Sequence, residues 1–462
     1  MKTRMWLVGA SLLAVLATAP AHARNWAVSP FGTPTGAGTY ASPLDLATAI
    51  GPGSPVRPGH AIWMRGGVYR GNFRSDLVGT GTAPIVVRAW WRERPRIDGT
   101  LHVHGSDTWF WGLEVFQSTR NVLERRTGIE VFGPRTKLIN CVVRDTAQGV
   151  GFWSRAVDAE MHGCIIYRNG FIDPTTGRAT GHGIYMQNDT GTMRVNDCLV
   201  IDQASFGIHA YGQAGQVRNM TFERNVVVGN AWLVGGTRNP STNIVVDRNF
   251  TWGSTFRMGF WAQGNRDLSF TNNLFVNRAG DAMQVNNSDH MTMIGNRLYA
   301  VGERGTPLMW SLPDRTDPPT PPAALNLSGN VYNHMAGVLT IGLAGYGWKT
   351  LEWWQSFTNS DRDSSAVRYI PGGVETHLIP NRFDPRRAHL VVYNWSGEGT
   401  VSFNPAQVLP RGMAFTVRNA YNYPSTPVLT GVVDGNPVEV PITGSRTAPA
   451  FAVFVITRAG FF

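Results

Sequence analysis

The chain has 462 residues and a formal net charge of +10, with 16% charged residues and 52 glycines. Sparse charge with abundant glycine and asparagine suits a turn-rich β protein and argues against a helical one. The basic residues are nearly all arginine and form no run, which points away from nucleic acid and, by their sign, toward an anionic partner such as an acidic polysaccharide.

Residues 1–23 read as a secretory signal: Lys2 and Arg4, the apolar run Trp6–Leu16, and the small-residue exit Ala21-His22-Ala23. That run is too short to span a membrane, and no later stretch is long enough. The expected mature protein is soluble and secreted or periplasmic; its oligomeric state is open, with a monomer favoured. Residues 24–60 are expected to form an N-terminal cap, with Ser42–Ile50 as an amphipathic cap helix that covers the first open edge. Residues 61–381 form the main body. Lys349–Phe357 reads as a helix closing its far end. From 382 to 462 short alternating strands, Ala388–Asn394, Thr400–Phe403 and Phe451–Ile456 among them, stand between Gly, Pro and Asn turns and predict a small C-terminal β-sandwich-like module. A sugar-binding role and a purely structural one are both open for that module.

The main body carries an internal repeat. One column runs Cys141, Cys164, Cys198, Asn225, Asn249, Asn273, Asn296 and Asn330, at gaps of 23, 34, 27, 24, 24, 23 and 34 residues. A period near 24 with insertions is the signature of a solenoid. Each unit holds two or three short strands, so each is one coil of a parallel β-helix. Asparagines at one turn column can hydrogen-bond along the stack and satisfy turn backbone that the ladders miss. Cysteines in the same column read as small buried fillers, since three cysteines make no disulfide framework. Insertions near 170–182 and 230–242 lengthen particular turns.

This pattern resembles the right-handed parallel β-helix superfamily of exported carbohydrate-active proteins, which includes pectate lyases and several glycoside hydrolase families. The entry segment Pro58–Gly71 resembles that family's first coil, although His60 stands where an Asp is usual. The resemblance spans about residues 25–340 and implies fold more than chemistry, because one fold hosts many functions.

The working surface is expected around Gly181–Tyr211. Gly183-Ile184-Tyr185-Met186-Gln187 and Gly207-Ile208-His209-Ala210-Tyr211 share one shape. Alternation turns Ile184, Met186, Ile208 and Ala210 inward, and Tyr185, Gln187, His209 and Tyr211 outward, with His182 at the lip. Extended coil by coil, one outward column reads Glu130, Gly151, Tyr185, His209, Val234, Trp261, Gln284. The other reads Phe132, Trp153, Gln187, Tyr211, Gly236, Gln263, Asn286. Coils about 4.8 Å apart and columns about 6–7 Å apart match the scale of a sugar unit. Aromatic rings with a few converging polar groups make the default binding site.

For chemistry, a glycoside hydrolase needs two carboxyl groups about 5–9.5 Å apart. The columns offer only Glu130, with Asp158, Asp173, Asp189 and Asp202 on turns. β-Elimination on a uronate needs a base, an acid and a cation. His209 with Tyr185 or Tyr211 can supply the first two, with His182 in reserve. Arg155, Arg178, Arg238 or Arg257 can supply the third. The expected substrate-binding residues are Glu130, Trp153, Arg155, Gln187, Arg238, Trp261, Gln263, Gln284 and Asn286, with His209, Tyr185, Tyr211 and His182 catalytic. Many β-helix lyases use calcium in an acidic cluster with a Lys or Arg base. No such cluster is readable here, although positions 281, 286, 287 and 289 offer Asp and Asn side chains. Lys137 is read on a turn. No pectate lyase residue is therefore carried over, and no metal or cofactor is expected. The favoured function is polysaccharide lyase. The alternatives are a glycoside hydrolase using turn carboxylates and a non-catalytic glycan-binding surface protein.

Overall fold

The computed structural model describes residues 23–460 apart from 214, 313–316, 336, 338, 370, 444–446 and 448–449. The expected leader, up to His22, lies outside the described residues.

Each coil visits three sheets in turn. In one coil Arg218–Glu223 enters the first sheet, Val226–Val228 the second and Trp232–Gly236 the third, before Thr242–Asp247 starts the next. All three sheets are 12-stranded. Every rung is parallel except the last of the third sheet, where Gly347–Lys349 runs antiparallel to Ile341–Leu343. The molecule is therefore a parallel β-helix with an accessory sheet.

The turn from first to second sheet is where the repeat column acts. The residue before each column position sits in the left-handed region, as at Asn140, Asp197, Arg224 and Arg248 (φ 51°, 58°, 52° and 53°). That bend leaves the next backbone N–H without a sheet partner. The column supplies one: Asn225 N–H donates to Asn249 Oδ1 at 2.8 Å, Asn249 to Asn273 at 2.9 Å, Asn273 to Asn296 at 3.1 Å, and Asn296 to Asn330 at 3.0 Å. Cysteine continues the same ladder, with Cys141 N–H on Cys164 Sγ at 3.3 Å. All three cysteines are free and buried.

The sheets differ in what covers them. Strands of the second sheet, Ile165–Tyr167, Leu199–Ile201 and Val226–Val228, are buried at every position. Continuous apolar sequence is what a strand needs when both faces are covered. The outer cover is the C-terminal module, a five-stranded antiparallel sheet. Tyr393 donates to the Thr251 carbonyl at 2.9 Å, and Trp252 stacks on Phe451 at 5.2 Å. That sheet takes in Val374–Pro380, so it starts before the residue 382 boundary read from sequence. Strands of the third sheet such as Ile184–Met186 and Met283–Asn286 instead alternate, with every second residue reaching the outside, while Trp232–Gly236 is buried throughout.

At the N-terminus the helix is short, Leu46–Ile50, with Asp45 capping it by accepting from Thr48 N at 2.9 Å. Leu46, Ala49 and Ile50 close the core. Asn25–Thr33 is no part of a separate cap: it is the first strand of the first sheet, paired with Ala61–Met64. At the other end helix Leu351–Thr358 inserts Trp354, 5.2 Å from Trp310. The insertion near 170–182 is a hairpin of Phe171–Ile172 with Ala179–Thr180. The stretch near 230–242 is no insertion, since Trp232–Gly236 is an ordinary rung.

Candidate functional site

The hairpin delivers the chain to His182 and then to a run of close-packed backbone. Gly149 and Gly183 start successive rungs of the third sheet, and a Cβ on either would stand 2.3 Å and 2.5 Å from the carbonyl oxygen of the next rung. Glycine is required there by this approach, and it brings the outward residues of neighbouring coils into register.

One outward column runs Glu130, Gly151, Tyr185 and His209. It continues through Leu233, Arg257 and Gln284. This corrects the sequence reading at two rungs. Val234 pairs with Ala210 and is buried in the core, and Leu233 takes the outer place. Trp261 is off the rung, because the strand Phe256–Met258 ends first and the chain leaves the sheet at Gly259 (φ 78°). In the second column Tyr211 faces Gly235, not Gly236. The tract Trp232-Leu233-Val234 is apolar at each position, so alternation could not set its register. Gln263 is exposed in the loop after Trp261.

Aromatic rings cross this face without a break. His104 stacks on Phe132 at 4.8 Å, Phe132 on Trp153 at 6.0 Å, and Trp153 meets Tyr185 at 5.6 Å. Tyr185 meets His209 at 5.6 Å, and His209 stacks on Tyr211 at 4.7 Å. Tyr211 then contacts Phe260 at 5.9 Å, and Phe260 stacks on Trp261 at 5.0 Å. Trp261, 70% exposed, thus joins the track from its loop.

At Gly151 the column has no side chain. The place of its Cβ lies 3.3 Å from Gln148 Nε2 and 3.3 Å from Trp153 Nε1. The Trp153 indole nitrogen is buried and has no hydrogen-bond partner. The two nitrogens therefore lie side by side against the bare Gly151 backbone, in a cup that a side chain there would fill. Glu130 stands on the preceding coil, where its Oε2 meets His102 Nδ1 at 2.8 Å. Tyr185 stands on the following coil. Its hydroxyl oxygen accepts from Gln187 Nε2 at 3.0 Å, so its own proton points elsewhere. Burial pushes the Tyr185 phenol up, and it stays protonated.

His209 is only 8% exposed, wedged between Phe206 at 4.5 Å and Tyr211. Its Nδ1 lies 2.9 Å from His182 Nε2. Burial pushes His182 down to about 4; burial and the neighbouring His182 push His209 down to about 3. Both imidazoles are neutral near pH 7. Tyr211 shares a hydrogen bond with Thr237 Oγ1 at 2.9 Å.

The expected cations do not converge on His209. Arg155, Arg178 and Arg238 are exposed beyond the rungs, and Arg257 lies two rungs along. Gln284 donates to Asp281 Oδ2 at 2.7 Å, and Asn286 to the Gly259 carbonyl at 3.2 Å. The turn aspartates cap turns: Asp158 accepts from Thr192 N, Asp173 from Thr175 N and Asp189 from Gln216 N. Asp202 occupies a left-handed turn position. Lys137 is on a strand of the first sheet, paired with Glu160 at 2.8 Å, not on a turn. Among the described residues no group of three or more His, Cys, Asp or Glu could hold a metal ion. His102, Gln148 and Arg74 were missed by sequence reasoning. His102 pairs with both Arg74 and Glu130 in register, a link invisible without rung assignment.

Residues 112–250 match a family model described as "Right handed beta helix region". No curated protein matches the chain. Among solved structures, the chain is similar to a rhamnogalacturonan lyase at 13% identity, over 59% of this chain and 82% of that one, with a TM-score of 0.45. It is similar to a mannuronic acid specific family 6 polysaccharide lyase from human gut microbiota at 13% identity, over 73% and 85%, with a TM-score of 0.41. It is also similar to XylC, solved in complex with xylose, at 8% identity over 90% and 95%, with a TM-score of 0.45. The parallel rungs themselves establish the β-helix. No helix among the described residues is long and apolar enough to cross a membrane.

Proposed function

We propose that the protein binds a uronate-containing polysaccharide along the aromatic track and cleaves it by β-elimination at the Gly151 cup. The observation that carries this reading is the buried, unpartnered Trp153 Nε1–H, which lies with Gln148 Nε2 beside the bare Gly151 backbone. Two neighbouring donors suit an oxyanion resting over Gly151, here the uronate carboxylate, whose charge grows as the neighbouring proton leaves. The N-terminal sequence supports export to where such glycans are met.

The flanking groups supply the proton transfers. His102, oriented by Glu130, takes the proton next to the carboxylate. Tyr185 gives its free hydroxyl proton to the leaving glycosidic oxygen. A base works best with a pKa near the operating pH. Buried His209, held down to about 3, is a weak base near neutral pH and packs against Tyr185. Hydrolysis would need a second carboxylate near Glu130. Asp76, the carboxylate two rungs back and roughly 10 Å away at about 4.8 Å per rung, is tied up by Arg74 at 2.9 Å.

The test is a panel of acidic and neutral polysaccharides read for ultraviolet absorbance of an unsaturated product and for new reducing ends. Absorbance lost in His102→Ala and Tyr185→Phe supports the reading. Reducing ends without absorbance would replace it with hydrolysis. Binding without either product would make the protein a glycan-binding module.

A further inference from the structure

We propose that the outer face of the first sheet carries a second, separate site for a carboxylated sugar, with Arg88 as its anion-binding group. The proposal rests on the polysaccharide reading for the class of its ligand, and on no residue of the third sheet.

Three successive coils build it. Trp63 pairs with Arg88, and Arg88 with Trp111, rung on rung. The Arg88 guanidinium lies 4.6 Å from the Trp63 ring and 4.7 Å from the Trp111 ring. Sandwiched between two indoles, the flat cation has one plane available to it. Trp90 packs edge-on against Trp63 at 5.9 Å, and Phe383 of the C-terminal module edge-on against Trp111 at 5.9 Å. Between these coils and the module lies a cavity of about 370 Å³, lined by Arg88, Trp90, Trp91, Asp384 and Arg386 among others. That volume falls in the range of about 300–1,000 Å³ typical of ligand pockets.

Arg88 has unmet demands there. Its Nε is buried without a hydrogen-bond partner. The acid whose field reaches it, Asp384, is engaged by Arg386 at 3.2 Å. Burial works against the charge on Arg88. A half-buried cation with idle donors is costly until an anion arrives. A carboxylate matches the guanidinium fork with two parallel hydrogen bonds. A small inorganic anion would leave the indole rim of Trp90 and Trp91 unused. A sugar acid uses both, setting its C–H face on an indole and its carboxylate on Arg88.

The experiment is calorimetric binding of galacturonate and glucuronate trimers, and of the carboxyl-reduced trimers, to the full chain and to Arg88→Gln, Arg88→Lys and Trp153→Ala. Two sites are expected on the unaltered protein. Trp153→Ala should remove one of them. Arg88→Gln should weaken the other roughly tenfold or more, Arg88→Lys should restore it only in part, and carboxyl reduction should mimic Arg88→Gln. Binding lost in Trp153→Ala and untouched in Arg88→Gln overturns the second site and leaves the third-sheet reading standing. The reverse pattern keeps the second site and removes that reading. No binding of either trimer overturns both. If Arg88→Gln melts early, Trp91→Ala, which trims an exposed part of the rim, takes its place under the same criteria.

Discussion

The imidazoles of His182 and His209 face each other across 2.9 Å, Nδ1 of His209 to Nε2 of His182, in a setting that keeps both neutral. With no carboxylate beside them, the pair has one proton to share and two protons to refuse. The unfolded chain has no such restriction, and its histidines take up protons near 6.5.

Stability should therefore depend on pH with a definite sign. The folded pKa values lie below the unfolded ones, so the unfolded state binds protons first as pH falls. The stability present above pH 6.5 is expected to drain away between pH 6.5 and about 3, the folded values being about 4 for His182 and about 3 for His209. Denaturation midpoints measured across that window should fall steeply, and should fall less in a His182→Phe variant. An equal slope in both proteins would show that the pair is not held neutral.

The cup at Gly151 makes a steric prediction. Gly151→Val places methyl groups against Gln148 and Trp153, and should abolish product formation while far-ultraviolet circular dichroism is unchanged. Trp153→Phe keeps the ring and removes the donor. Loss of one oxyanion donor costs roughly a hundredfold in kcat or more, and that is the expected effect here. Retained turnover in Trp153→Phe would take the indole N–H out of the chemistry.

The asparagine ladder should show its worth in denaturation. Asn249 accepts from Asn225 N–H and donates to the Phe222 and Asp247 carbonyls at 2.9 and 3.1 Å. Asn249→Ala leaves buried backbone groups unmet and should cost about 1–3 kcal/mol for each. Chemical denaturation of the variant against the parent measures this directly, and a change within error would mean the turns are satisfied by other means.

Burial raises the Cys164 thiol, and the bond with Cys164 together with burial raises the Cys141 thiol. A thiol reagent should label none of the three cysteines in the native protein and all of them in denaturant. Labelling of the native protein at any of them would mean that the coil opens there.

The repeat column and the alternation at Tyr185 and His209 were legible because both depend on neighbours in sequence. A turn column needs its Asn or Cys at each coil, and a rung open on one side needs period two. Those local demands determined the β-helix, its period and the face that carries Tyr185, Gln187, His209 and Tyr211. The second sheet was equally readable in principle, since Ile165–Tyr167 and Val226–Val228 are apolar throughout and declare a strand covered on both sides. Other features were decided only in three dimensions. Leu233 took the place expected for Val234 because an apolar tract has no alternation to fix its register. His102 met Glu130 because coils of unequal length were stacked, and sequence distance does not report rung distance. His209 turned out nearly buried because His182 and Tyr185 of the preceding coil pack against it beside Phe206 and Tyr211 of its own, and the sequence does not report that meeting of coils. The C-terminal sheet chose the second sheet's face, and so left the third sheet open. Sequence alone determines what repeats along one chain; the tertiary structure decides which residues of different coils share a surface, because that depends on register and cover summed over the whole stack.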